Sequence, residues 1–109
     1  METANVIYIE KERFLRELME KALAEADYRL YTYSDMDCLH FIADLAPKIL
    51  ILDVATVNED FLKNIDAEIP VIFTGTPEQL NNFSFEIKNR LEKPLGPFDL
   101  VAYISKIIS

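Results

Sequence analysis

The chain has 109 residues, half of them hydrophobic, enough for one domain with a hydrophobic core and too few for two ordinary ones. Eleven basic residues against nineteen acidic ones leave a net charge of -8, which argues against a nucleic-acid surface, since that needs a clustered basic face. The single cysteine, Cys38, rules out a disulfide framework, and the lack of a signal-peptide pattern or a bilayer-length apolar run points to a cytoplasmic protein that does not bind membranes.

Val6 to Ile9 is a short apolar run that ends in acid at Glu10. Between residues 11 and 26 the apolar residues Phe14, Leu15, Leu18, Met19, Ala22 and Leu23 recur at helical spacing, with Glu17, Glu20 and Lys21 opposite. A strand is thus followed by an amphipathic helix with a solvated acidic face. Tyr28 to Tyr33 interleaves strand formers with polar groups, the pattern of an exposed edge strand, and its three tyrosines read first as packing. Ser34, with Asp37 three residues on, precedes a second helical stretch whose buried stripe would be Met36, Leu39, Ile42, Ala43 and Leu45. Pro47 should end it near Ala46 by disfavouring helical geometry in the residue before it. Inside this stretch His40 has no second ligand and Cys38 no activating neighbour, so both read as structural.

Ile49 to Leu52 are four apolar residues in a row running into Asp53, as in a strand buried on both faces. A carboxylate at the carboxyl end of a central strand sits where ligands bind in open α/β sheets, which makes Asp53 the first candidate for a working residue. Asn58 is placed to cap a short helix reaching about Ile65, and Pro70 to Thr74 is a third buried strand ending in a polar residue. Gly75 to Lys88 is the least regular part: Pro77 suits a helix start, but Asn81-Asn82-Phe83-Ser84 interrupts the period. Arg90 to Lys93 would be a last short strand closed by Pro94. After Gly96-Pro97, residues Phe98, Leu100, Val101, Ile104, Ile107 and Ile108 outline a final helix. Five strands alternating with helices predict an α/β fold with a doubly wound five-stranded parallel sheet. The expected order is the flavodoxin-like 2-1-3-4-5, with helices on both faces of a single domain spanning 1–109.

In that sheet Glu10, Asp53, Thr74 and Lys93-Pro94 end the first, third, fourth and fifth strands and converge at one edge. The set resembles a receiver domain of two-component response regulators, and the resemblance covers essentially the whole chain. It implies a CheY-like fold in which Asp53 is the residue that accepts a phosphoryl group from a histidine kinase. Thr74 and Lys93 would then contact the phosphoryl oxygens, Gly75 would be the small residue expected after Thr74, and the Lys93–Pro94 peptide bond would be cis. Glu10, Asp53 and the Ala55 carbonyl would be what is left of a magnesium site. The implied activity is no enzyme's, beyond at most weak self-phosphorylation at Asp53. The implied partners are signalling proteins, a histidine kinase or an output domain, met by the last strand and its flanking helices.

Departures from the family pattern bear on function. Where the family usually carries two acids after the first strand, the chain reads Glu10-Lys11, so the formal charges of Glu10, Lys11, Asp53 and Lys93 cancel. An intact pocket of three acids and one lysine would hold excess negative charge to draw a divalent cation. The expected cofactor is therefore none, or magnesium bound only weakly, and phosphorylation of Asp53 should be slow or absent. Lys11 either replaces the metal beside Asp53, gaining roughly 4 kcal/mol of gross Coulomb energy at about 4 Å, or begins the first helix and points into water. At the switch position, three residues before Lys93, the family's usual aromatic is replaced by Arg90, and Val54 to Phe61 lacks the usual Met-Pro and Gly. Two other readings stay open: a working phosphoacceptor, and an unrelated flavodoxin-like domain binding some other ligand at the same edge. A nucleotide does not suit the latter, because no Gly-rich phosphate loop follows the first strand.

Overall fold

The computed structural model describes residues 4–94 and 96–108. Five strands, β1 (Ala4–Ile9), β2 (Tyr28–Tyr33), β3 (Ile49–Asp53), β4 (Val71–Gly75) and β5 (Arg90–Glu92), alternate with helices α1 (Arg13–Glu25), α2 (Leu39–Leu45), α3 (Glu59–Lys63), α4 (Pro77–Asn81) and α5 (Pro97–Ile108). The strands form one parallel sheet in the order β2-β1-β3-β4-β5, as the alternation predicts. Every residue of β3 is buried, as its unbroken apolar run requires of a central strand.

The pleat sorts the core into two layers. Val6, Tyr8, Ile49, Ile51 and Ile72 meet Met19 and Leu23 of α1 and Leu100 and Ile104 of α5. Ile7, Ile9, Leu50, Leu52 and Phe73 face the other way, against Ile42, Phe61, Leu62 and Leu80 of α2 to α4. On the edge strand β2, Tyr28 packs into the first layer and Tyr31 and Tyr33 into the second, which gives the tyrosines their packing role.

Local signals act where the chemistry places them. Asn58 caps α3 by accepting a hydrogen bond from the Phe61 N–H at 2.9 Å, and the helix ends at Lys63, two residues before Ile65. Ala46 ends α2 in the left-handed region with φ 47°, directly before Pro47. At α4 the Thr76 hydroxyl accepts from the Gln79 N–H while the Gln79 side chain accepts from the Thr76 N–H, a complete capping box with Pro77 at the first helical position.

Three expected core residues stand in solvent. Phe14 is 72% exposed and Phe98 85%, while Ala43 is exposed on α2. Phe14 and Phe98 lie in the first turns of α1 and α5, and Phe98 lines a groove with Leu18, Ala22 and Glu25 of α1. The second helical stretch opens with a 3-10 turn, Met36–Cys38, and that tighter winding advances the phase and carries Ala43 off the buried side. Leu39, in the same expected stripe, has a side chain outside the described residues. Cys38 is buried, and burial pushes its thiol up to about 11. His40 is exposed, with its ring edge-on to Phe41 at 5.1 Å.

Candidate functional site

The carboxyl edge of the sheet gathers the polar residues of the core. Glu10, Asp53 and Thr74 are the buried polar or charged side chains of the described residues, and each stands at the end of β1, β3 or β4 or just past it. Lys93 follows β5, joined to Pro94 by a cis peptide bond. Its ammonium lies 2.7 Å from Glu10 Oε1 and 3.1 Å from Asp53 Oδ1, so one cation serves two buried carboxylates and one negative charge is left over. Asp53 Oδ1 has Lys93 as its ion-pair partner and no hydrogen-bond donor among the described residues.

Asp53 Oδ2 accepts a hydrogen bond from the Thr56 hydroxyl at 2.6 Å, and that hydroxyl in turn accepts from the Lys11 backbone N–H at 3.1 Å. The turn after β3 brings Thr56 back over the carboxylate, since the N–H groups of Thr56 and Val57 both bond to the Asp53 carbonyl. Thr56 is thus the residue that reading the sequence missed, and its only signal there is a hydroxyl three places after the acid. Gly75 permits this packing: a Cβ on it would fall 2.7 Å from Val54 Cγ2 in the same turn.

Glu10 is held by more than Lys93. Its Oε1 also lies 3.4 Å from the Tyr8 hydroxyl, and its Oε2 accepts from the Glu12 N–H at 3.3 Å. Burial lifts the Glu10 carboxyl above its usual range, against the pull of the Lys93 ammonium. Burial would by itself lower Lys93, but close contact with the two acids and their charge raise it above the ordinary lysine value. Burial, with Glu10 and Asp53 nearby, drives the Tyr8 phenol far upward.

The Lys93 ammonium lies between the two carboxylates. Among the described residues no three acids, histidines or cysteines cluster as metal ligands. Ala55 is exposed in the turn, offering a backbone carbonyl and no charge. Magnesium keeps near-octahedral oxygen coordination and dehydrates reluctantly, so this donor set, with both acids already paired, fits it poorly.

Of the two placements open for Lys11, the structure has the exposed one, and the ion pair to Asp53 comes from Lys93. Lys11 reaches the site through its backbone alone. Thr74 Oγ1 is buried beside Asp53, its partner across the β3–β4 ladder, and has no hydrogen-bond partner of its own among the described residues. Arg90 points away from this cluster: its guanidinium reaches Asn81 Oδ1 at 3.3 Å and Glu92 Oε1 at 3.2 Å, tying β5 to the end of α4.

No protein-family model and no curated protein matches the chain. Solved structures do. The chemotaxis response regulator CheY4 of Vibrio cholerae is 17% identical, with TM-score 0.79 over 97% of this chain and 99% of that one. A response regulator receiver modulated diguanylate cyclase from Pelobacter carbinolicus is 20% identical, with TM-score 0.80 over 96% of this chain and 92% of that one. The anti-anti-sigma factor PhyR from Bartonella quintana, 20% identical at TM-score 0.78, is matched over 99% of this chain but 48% of its own, so there the fold is part of a longer protein. The scaffold that brings Glu10, Asp53, Thr74 and Lys93 to one edge is the fold of response-regulator receiver domains.

Proposed function

We propose that the chain is a signalling module of receiver fold that works by binding a protein partner, with phosphoryl transfer to Asp53 impaired. The observation that carries this reading is the closure of Asp53: the residue is 0% exposed, Thr56 donates to one oxygen at 2.6 Å and Lys93 pairs with the other at 3.1 Å. A carboxylate attacks phosphorus only through an oxygen that can reach a donor in line, so the contact on whichever oxygen attacks must break before Asp53 reacts. The charge pattern acts in the same direction, because Lys11 stands where a second acid would help to draw a divalent cation. The exposed aromatics Phe14 and Phe98 give α1 and α5 apolar contact points, which suits a partner that docks on these helices. Signalling proteins, a histidine kinase or an output domain, are the partner class the fold suggests.

Thr74 favours a second reading. A buried hydroxyl without a partner costs roughly 1–3 kcal/mol, and a phosphoryl oxygen on Asp53 would satisfy it while Lys93 turned from Glu10 to the new charge. Incubation with magnesium and either acetyl phosphate or beryllofluoride separates the two. The docking reading expects no mass change and no chemical-shift change at Asp53, Thr74 or Lys93 in the wild type, with reactivity appearing in Lys11→Asp. Saturable modification of the wild type, lost in Asp53→Asn, establishes the phosphoacceptor instead.

A further inference from the structure

A second concavity lies toward the opposite edge of the sheet. Between α4 and β5 the chain runs from Asn82 to Asn89 without regular structure, and Phe83 and Ile87 pack into the core while Phe85 between them stays 38% exposed. Phe85 forms one wall of a cleft of about 390 Å³, whose apolar lining includes Leu62, Ile65, Ile69, Val71 and Phe73. That volume lies in the range of sites that enclose a drug-sized ligand, large enough for one or two big side chains.

Two features describe the occupant. Among the described residues the charged groups lining the cleft are the exposed Asp66, Glu68 and Glu86 against Lys88, an excess of negative charge on a chain already at -8. In addition, none of the backbone N–H groups from Ser84 to Lys88 donates a hydrogen bond to another protein group among the described residues. Of these residues Phe85, Glu86 and Lys88 line the cleft, so backbone donors lie beside it for an incoming main chain to meet.

We propose that this cleft is a docking site for an extended peptide segment of a partner protein, with a large apolar side chain for the cavity and lysine or arginine beside it for Asp66, Glu68 and Glu86. The site is separate from the Asp53 edge and does not depend on how Asp53 behaves. Short fluorescein-labelled Gly/Ser peptides with a central Lys-Leu-Phe-Lys or Glu-Leu-Phe-Glu test it by anisotropy and amide-shift mapping. The lysine peptide should bind saturably and roughly tenfold tighter than the glutamate peptide, with shifts confined to 62–73 and 84–89. Phe85→Asp, at a position exposed enough to leave the fold intact by circular dichroism, should weaken it about tenfold, and Glu68→Lys with Glu86→Lys should abolish the charge preference. Equal affinity for the two peptides, or unchanged binding in both variants, overturns the proposal. So does self-association of the unlabelled protein that Phe85→Asp removes, which assigns the cleft to a second copy. A bound apolar dye that neither peptide displaces overturns it too, assigning the cleft to small molecules.

Discussion

The Lys93 ammonium lies within 3.1 Å of two carboxylates that are themselves cut off from water, so its removal strands charge that nothing else compensates. Breaking a buried pair in this way typically costs about 3–5 kcal/mol. Lys93→Met should lose stability on that scale in urea unfolding at neutral pH, and adding Glu10→Gln should recover part of the loss; additive losses would show that the groups act separately. Groups at this site, together with Cys38 on the other face of the sheet, set the alkaline limit. Lys93, Tyr8 and Cys38 all hold their protons more tightly in the folded chain than in the unfolded one. As pH rises past the ordinary thiol value of 9.0, the unfolded state sheds protons first and binds fewer than the native state, so stability falls with pH. Cys38 begins this decline and carries it to about 11. Denaturant curves between pH 8 and pH 10.5 should therefore show a falling midpoint whose first part is absent in Cys38→Val.

Gly75 and Thr76, one after the other, join β4 to α4 by two different means. A methyl group on Gly75 would meet Val54 Cγ2 at 2.7 Å, so Gly75→Ala should destabilise by about 1–3 kcal/mol, and Val54→Ala in the same chain should relieve part of it. Thr76→Ala removes the capping-box hydroxyl and should cost about 1 kcal/mol in thermal or urea unfolding. The strands were legible in the sequence because apolar runs fix them: β2 and β3 begin and end where their residue patterns do. The helices were legible as elements, less so as faces, since 3.6-residue periodicity picks out an apolar stripe but not which of its residues a neighbour covers, and Phe14 and Phe98 stay exposed. The Thr76-x-x-Gln79 signature was present in the sequence and marks the start of α4 better than Pro77 alone does. At the site, Glu10, Asp53, Thr74 and Lys93 were legible because strand ends share an edge. Which lysine pairs with Asp53 was not, because Lys11 and Lys93 are equally cationic and only the path of the backbone decides which ammonium turns inward.

Across the whole molecule the charge of -8 is spread over principal extents of 37 × 29 × 25 Å. The screening length falls from about 30 Å at 0.01 M salt to about 8 Å at 0.15 M, that is, from roughly the size of the molecule to well below it. Self-repulsion should therefore ease over that range, and the melting temperature should rise with sodium chloride; a flat or falling response would show that attractive surface pairs outweigh the net charge. Lys93 also acts at this scale. In the order β2-β1-β3-β4-β5 it reaches from the end of β5, past β4, to Asp53 after β3 and Glu10 after β1. β5 is a three-residue edge strand that on its own ladder would be the first to fray. The clasp links its opening to the exposure of two central carboxylates. Native-state hydrogen exchange should then find the amide of Lys93, which donates to the Gly75 carbonyl at 2.8 Å, opening together with β1 and β3, and releasing as a separate, faster unit once the ammonium is removed.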